Sequence, residues 1–246
     1  MISVDRVSKV YEDGTVALKD VSFEVEKGES CSIIGPSGCG KSTLLFIISG
    51  LLKATSGEVR IEGRKIDCPS KDVSLVLQDY GLFPWMNVYE NVAFGLRVRK
   101  VKKDDEKVIV NRTLDELGIK NFEKHYPKQL SGGIRQRVAI ARALATNPRI
   151  LLMDEPFSSL DALNREKMQN LLLEIWKKSR ITFVLVTHSI EEAVFLSRKI
   201  VVLSPRPGTV KKIIENNSAG EEEYRFSDEY FRKCREVRKS IEFGVI

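Results

Sequence analysis

One segment constrains this chain more than any other: Gly35-Pro36-Ser37-Gly38-Cys39-Gly40-Lys41-Ser42-Thr43. It follows an apolar run, Ser30-Cys31-Ser32-Ile33-Ile34, and precedes helical patterning over 42–52. Glycines at this spacing let the backbone curl so that several N–H groups point at one phosphate, and the helix that follows adds its positive end. Lys41 then reaches the outer phosphates of a nucleotide, and the Ser42 hydroxyl can ligate Mg²⁺. A strand feeding such a loop and helix belongs in a parallel α/β sheet.

The rest of the chain fits that frame. The first thirty residues alternate as a strand meander, and SGEVRIEGRKI reads as a hairpin. Val73–Leu77 forms a short buried strand before Gln78. From residue 81 to 149 helical patterns dominate. Strand texture then returns at Ile150–Met153, Thr182–Val186 and Ile200–Leu203, with an amphipathic helix expected over Asn164–Lys178. The expected fold is α/β, a P-loop NTPase (RecA-like) core with an N-terminal antiparallel β subdomain and an inserted helical subdomain. Residues 1–80 and 150–205 would form the core and β subdomain. Residues 81–149 would form the helical subdomain, and 206–246 a C-terminal extension ending in a basic, solvated helix over Ser227–Ile241.

Composition excludes several classes. Lys plus Arg is 40 against 34 for Asp plus Glu, a net charge of +6 that suits phosphate ligands without specifying them. No stretch offers the ~18 apolar residues of a membrane helix. The opening MISVDRVSKVY has no signal-peptide core, so the chain is expected to stay where it is made. Cys31, Cys39, Cys68 and Cys234 lack paired metal spacing, which argues for reduced thiols rather than a zinc site.

Two further segments carry chemistry. Ile150-Leu151-Leu152-Met153-Asp154-Glu155 is an apolar strand ending in adjacent acids. Asp154 suits Mg²⁺, and Glu155 suits a general base that polarises an attacking water. Adjacent strand residues point to opposite sides, which separates the two roles. Leu130-Ser131-Gly132-Gly133-Ile134-Arg135-Gln136-Arg137 places a capping serine and two glycines at a second helix start. This is a second anion site, and one nucleotide does not need two from one chain. The economical reading is that it serves a nucleotide held by a second copy.

In this order, GPSGCGKST, LSGGIRQR and LLMDEP resemble the ATP-binding subunit of an ABC transporter, and the resemblance spans essentially the whole chain. It implies an ATPase with ATP and Mg²⁺ as cofactors, working as an ATP-dependent homodimer. Tyr11 would stack on adenine with Val16 nearby, and Gly35, Pro36, Ser37, Gly38, Cys39, Gly40, Lys41, Ser42, Thr43 and Gln78 would hold ATP. Ser131, Gly132, Gly133 and Gln136 would meet the partner's ATP. Ser42, Gln78 and Asp154 would hold the metal, Glu155 and His188 would be catalytic, and Asp161 would cross the dimer. Transmembrane permease subunits would dock near Gln78–Trp85, where Phe83 and Trp85 flank Pro84, although both aromatics could instead be core. A solute-binding protein would act indirectly, no nucleic acid would be bound, and the chain would sit peripherally on the cytoplasmic face of the inner membrane. FPWMNVYENVAFGL and LSPRPGTV are similar to the nitrate, sulfonate, taurine and pyrimidine-precursor importers. Two alternatives stay open: an ABC-type ATPase acting on nucleic acid or ribosomes, and a separate-subunit exporter ATPase. Against the first, the interval from Ser42 to Leu130 holds no sustained heptads.

Overall fold

Residues 1–221 and 223–242 are described by the structure, a computed structural model. Two sheets organise the chain. In the first, β1 (Ile2–Val10), β2 (Val16–Val25), β4 (Ser56–Ile61) and β5 (Arg64–Lys65) run antiparallel in the order β2-β1-β4-β5. Their buried residues alternate with exposed ones, as expected of a sheet with one wet face.

The second sheet has six strands in the order β10-β9-β3-β8-β7-β6. Here β3 is Ser30–Ile34, β6 Val73–Val76, β7 Ile150–Asp154, β8 Thr182–Thr187, β9 Lys199–Leu203 and β10 Val210–Glu215. All pairings are parallel except that of β10 with β9. Strands β3, β7 and β8 are buried at every position, because both faces of this sheet are covered. Along β3, Ile33 enters one core and Ile34 the other; Leu152 and Met153 divide likewise along β7. The registers Ile34 with Thr187 and Asp154 with Val186 bring the C-terminal ends of three adjacent strands level. Everything that follows these ends therefore shares one edge of the sheet.

The helices are α1 (Lys41–Ile48), α2 (Val88–Val98), α3 (Lys103–Glu116), α4 (Gly132–Ala145), α5 (Ala162–Ser179), α6 (Ile190–Leu196) and α7 (Asp228–Glu242). Helices α2, α3 and α4 form the helical block within 81–149, and α4 also packs on β6 and α5, which ties the block to the sheet. Helix α1 stops short of Leu52. Gly50 takes φ +78° beneath the carbonyl of Cys68, where a Cβ would come within 2.4 Å. The expected strand to Leu77 ends at Val76, so Gln78 lies in the turn beyond it.

The segment after residue 205 is less peripheral than its charge suggests. Strand β10 extends the main sheet, and α7 buries Tyr230 and Val237. The amphipathic spacing of those apolar residues, rather than the basic face, sets how α7 sits. Residues 222 and 243–246 of the expected extension lie outside the described residues.

Candidate active site

The loop between β3 and α1 is fixed by sterics. Gly40, the residue that caps α1, has φ +99°, and a Cβ there would lie 2.7 Å from Leu18 Cδ2 and 2.8 Å from the Ala17 carbonyl. No side chain caps α1. Its first amides are therefore offered to an incoming anion. Lys41 is buried and donates from Nζ to the carbonyls of Gly35 and Pro36, 3.0 Å each. The ammonium is thus held inside the loop by neutral acceptors that a phosphate would outcompete. Cys39 is buried here too, and burial pushes its thiol above its ordinary pKa, so it is a poor nucleophile.

Ser42 Oγ donates to Asp154 Oδ1 at 3.1 Å across the gap between α1 and the end of β7. Burial raises the Asp154 carboxyl above the usual carboxylate range, and Glu155 adds to the rise, against the opposing pull of Ser42 and Lys41. Paired hard oxygen donors of this kind suit Mg²⁺ better than a softer ion. Among the described residues no cluster of His, Cys, Asp and Glu forms a competing metal site. Gln78 is exposed in its turn.

Glu155 separates from Asp154 by a different route than strand alternation. Its backbone leaves the strand at φ +44°, a left-handed conformation that costs a glutamate of order 1 kcal/mol or more. Its N–H still donates to the Val186 carbonyl at 2.9 Å. The result aims the carboxylate at the next strand end, where Oε2 lies 3.0 Å from His188 Nδ1. His188 is mostly open to solvent while Glu155 is largely covered.

Tyr11 follows β1 in the turn closed by Tyr11 N–H to Thr15 O, and its ring is 39% exposed, as is Val16. The phenol oxygen lies 2.9 Å from Thr43 Oγ1, which docks the turn onto α1. An exposed aromatic beside the phosphate loop offers a flat face on which a ring could stack.

Ser131 caps α4 and accepts the Ile134 N–H at 3.4 Å, with Gly132 and Gly133 as the first helical residues. Gln136 does not join them. It is fully buried, and its amide atoms have no partner among the described residues. One helical turn past the open end, it faces the interior of this chain, away from the helix start where Ser131, Gly132 and Gly133 lie. Asp161 caps α5; the Asn164 backbone and side-chain N–H groups hold its exposed carboxylate below the ordinary range.

Sequence reasoning missed a polar network behind His188. Thr187 Oγ1 donates to buried Glu192 at 2.6 Å, Arg165 Nε lies 3.7 Å from the same carboxylate, and an Arg165 Nη donates to the Leu160 carbonyl. Burial raises the Glu192 carboxyl despite these partners. Ser189 caps α6 by accepting the Glu192 N–H, a Ser-x-x-Glu helix start. Nothing in that spacing marked where the Glu192 side chain would go.

Residues 18–158 match the family model described as ABC transporter. The chain belongs to that family. This ABC transporter chain is 44% identical over 250 residues to the taurine import ATP-binding protein TauB of Roseobacter denitrificans, covering 99% of this chain and 90% of the relative. It is 46% identical over 219 residues to the aliphatic sulfonates import ATP-binding protein SsuB of Bacillus thuringiensis subsp. konkukian, covering 88% and 86%. Among solved structures, the dimeric post-hydrolysis state of the ATP-binding cassette MJ0796 bound to ADP and Pi superposes with a TM-score of 0.79 at 36% identity, covering 87% of this chain and 98% of that one. ABC transporter ATP-binding chains are ATPases that power transport, and the fold and strand-end geometry of this one agree with that activity. No helix among the described residues is long and apolar enough to cross a membrane.

Proposed function

We propose that this ABC transporter ATPase powers an importer of the nitrate, sulfonate and taurine group, with two copies enclosing two ATP molecules. The observation that carries the catalytic assignment is the shared edge on which Lys41, Ser42, Asp154, Glu155 and His188 converge. Lys41 and the amides of the loop bind the outer phosphates. Ser42 and Asp154, with Gln78 from the adjoining turn, would hold Mg²⁺, which when bound neutralises charge on the phosphates. Glu155 accepts the proton of the attacking water, and His188 keeps that carboxylate aimed while bonding the γ-phosphate. Tyr11 and Val16 support the base. Ser131, Gly132 and Gly133 of the partner copy close the site, and Asp161 lies at the seam. Loss of the γ-phosphate removes what the two copies share, so the pair reopens.

Permease docking is assigned to the loop after Gln78. Trp85 is 70% exposed and packs on Phe83 at 5.6 Å between ring centroids, and Phe83 in turn packs on Phe94 at 4.6 Å. An exposed aromatic seated on a half-buried one forms a protein-docking hot spot. The relatives' printed names support import of this solute group; a solute-binding protein and a peripheral position on the cytoplasmic face of the membrane belong to the same proposal. An ATPase acting on nucleic acid is disfavoured because α2, α3 and α4 are short packed helices of 11 to 14 residues, not a coiled-coil arm.

The test is uptake by proteoliposomes holding this chain with the permease and solute receptor of its own transporter. ATP-driven accumulation of taurine or an aliphatic sulfonate is expected. Intact ATP hydrolysis without uptake of any sulfonate or nitrate would overturn the solute group.

A further inference from the structure

Tyr80 takes no part in the chemistry assigned above, yet it is held in a costly position. Its backbone has φ +66°, which an aromatic residue rarely adopts. Two groups keep it there. Arg142 donates to the Tyr80 carbonyl at 3.0 Å and also to the Gly81 carbonyl, and the Arg135 guanidinium lies 5.5 Å from the ring centroid. The phenol oxygen so placed lies 2.5 Å from Ser159 Oγ. It also defines the space at α4: a Cβ on Gly132 would sit 3.3 Å from that oxygen.

Ser159 belongs to the turn that follows Glu155. Ser158 donates to the Glu155 carbonyl twice, from its N–H at 3.2 Å and from its Oγ at 2.9 Å. On the far side, Arg165 anchors the Leu160 carbonyl at 2.9 Å. The left-handed turn at Glu155 is thus gripped on one side by Arg165 and on the other, through Ser159, by Tyr80. We infer that Tyr80 is a positioning residue for hydrolysis: its hydroxyl, through Ser159, holds the turn that aims Glu155 at His188. Tyr80 lies two residues beyond Gln78 and three before Phe83. On the docking assigned above, displacement of that loop by a permease therefore reaches the catalytic base by a hydroxyl pair within one chain.

The experiment is steady-state ATP hydrolysis by the full chain, which needs no permease, so its failure is separable from failure of the importer assignment. Tyr80→Phe and Ser159→Ala each remove one hydroxyl from the pair. Each is expected to lower kcat about threefold to tenfold while KM for ATP changes less than about twofold, as for an interaction that matters in the transition state. The double variant is expected to be no slower than the slower single variant, since the second change removes nothing further. Ser159→Thr keeps a hydroxyl and is expected to retain most of wild-type kcat. A Tyr80→Phe enzyme at wild-type kcat, or multiplicative losses in the double variant, would overturn the inference. Were Tyr80→Phe to fail to fold, Ser159→Ala and Ser159→Thr decide alone. Loss in the first with retention in the second supports the pair, and equal rates overturn it.

Discussion

Asn91 is fully buried, and its side chain ties down the loop that carries Phe83 and Trp85. Oδ1 accepts the Phe83 N–H at 2.9 Å; Nδ2 donates to the carbonyls of Met86 at 2.9 Å, Asn87 at 3.0 Å and Phe83 at 3.2 Å. One amide offers two hydrogens, so these donor contacts amount to two bonds' worth, and the accepted bond makes a third. The Asn87 carbonyl keeps the Asn91 N–H, and the Phe83 carbonyl keeps the Met86 N–H, after truncation. The Phe83 N–H and the Met86 carbonyl lose the partner that holds them. At about 1 kcal/mol net per lost bond, with a further penalty for groups that water cannot reach, Asn91→Ala should cost ~2–4 kcal/mol. For a chain of this size that is on the order of 4–16 °C in Tm. Urea unfolding followed by circular dichroism measures the stability, and acrylamide quenching of Trp85 follows the loop, since the other tryptophan, Trp176, is buried. Stability within about 0.5 kcal/mol of wild type, the scatter of an ordinary surface change, would refute the reasoning.

Other outcomes follow from the same geometry. Glu155→Gln should keep ATP binding and slow turnover by ~10²–10⁴, because it removes the base while leaving the phosphate cradle; turnover within about twofold would exclude the role. Lys41→Ala should weaken nucleotide binding itself, measured by calorimetry, and equal affinity would contradict its place on the phosphates. Burial raises Asp154 above its unfolded value, so the nucleotide-free fold holds that proton more tightly than the unfolded chain does. Its contribution to stability is full below the unfolded pKa and is lost as pH rises through the folded one. Asp154→Asn should flatten that part of the pH–stability profile in metal-free thermal melts, whereas parallel profiles would count against the burial effect.

The fold class was legible because the phosphate loop admits few surroundings, and the buried strands spelled themselves out over Ser30–Ile34, Ile150–Met153 and Thr182–Val186, each within one residue of its observed end. The terminal helix was legible too, but not how it packs, because charge dominates residues 228–242 and conceals the spacing of Tyr230 and Val237 on the inner face of α7. At the site, the glycines and acids marked where the loop before α1 and the end of β7 lie. The inward side chain of Gln136 was not legible, because a residue next to a capped helix start can face either way and only the packing of α4 decides. Glu192, Tyr80 and Asn91 carried no signal: Glu192 and Tyr80 act through Arg165 and Ser159, distant in sequence, and Asn91 through the backbone of a loop whose path no motif encodes.

The proposed mechanism stands on a head-to-tail pair in which the phosphate loop of one chain meets the capped start of α4 from the other. Introducing Ser37→Cys in one chain and Ser131→Cys in another, with Cys31, Cys39, Cys68 and Cys234 replaced, tests it directly. Glu155→Gln in both chains prolongs the closed state. Crosslinks between chains are expected to form with ATP and to be lost without nucleotide. Crosslinks confined to one chain, or indifferent to ATP, would contradict the head-to-tail pair.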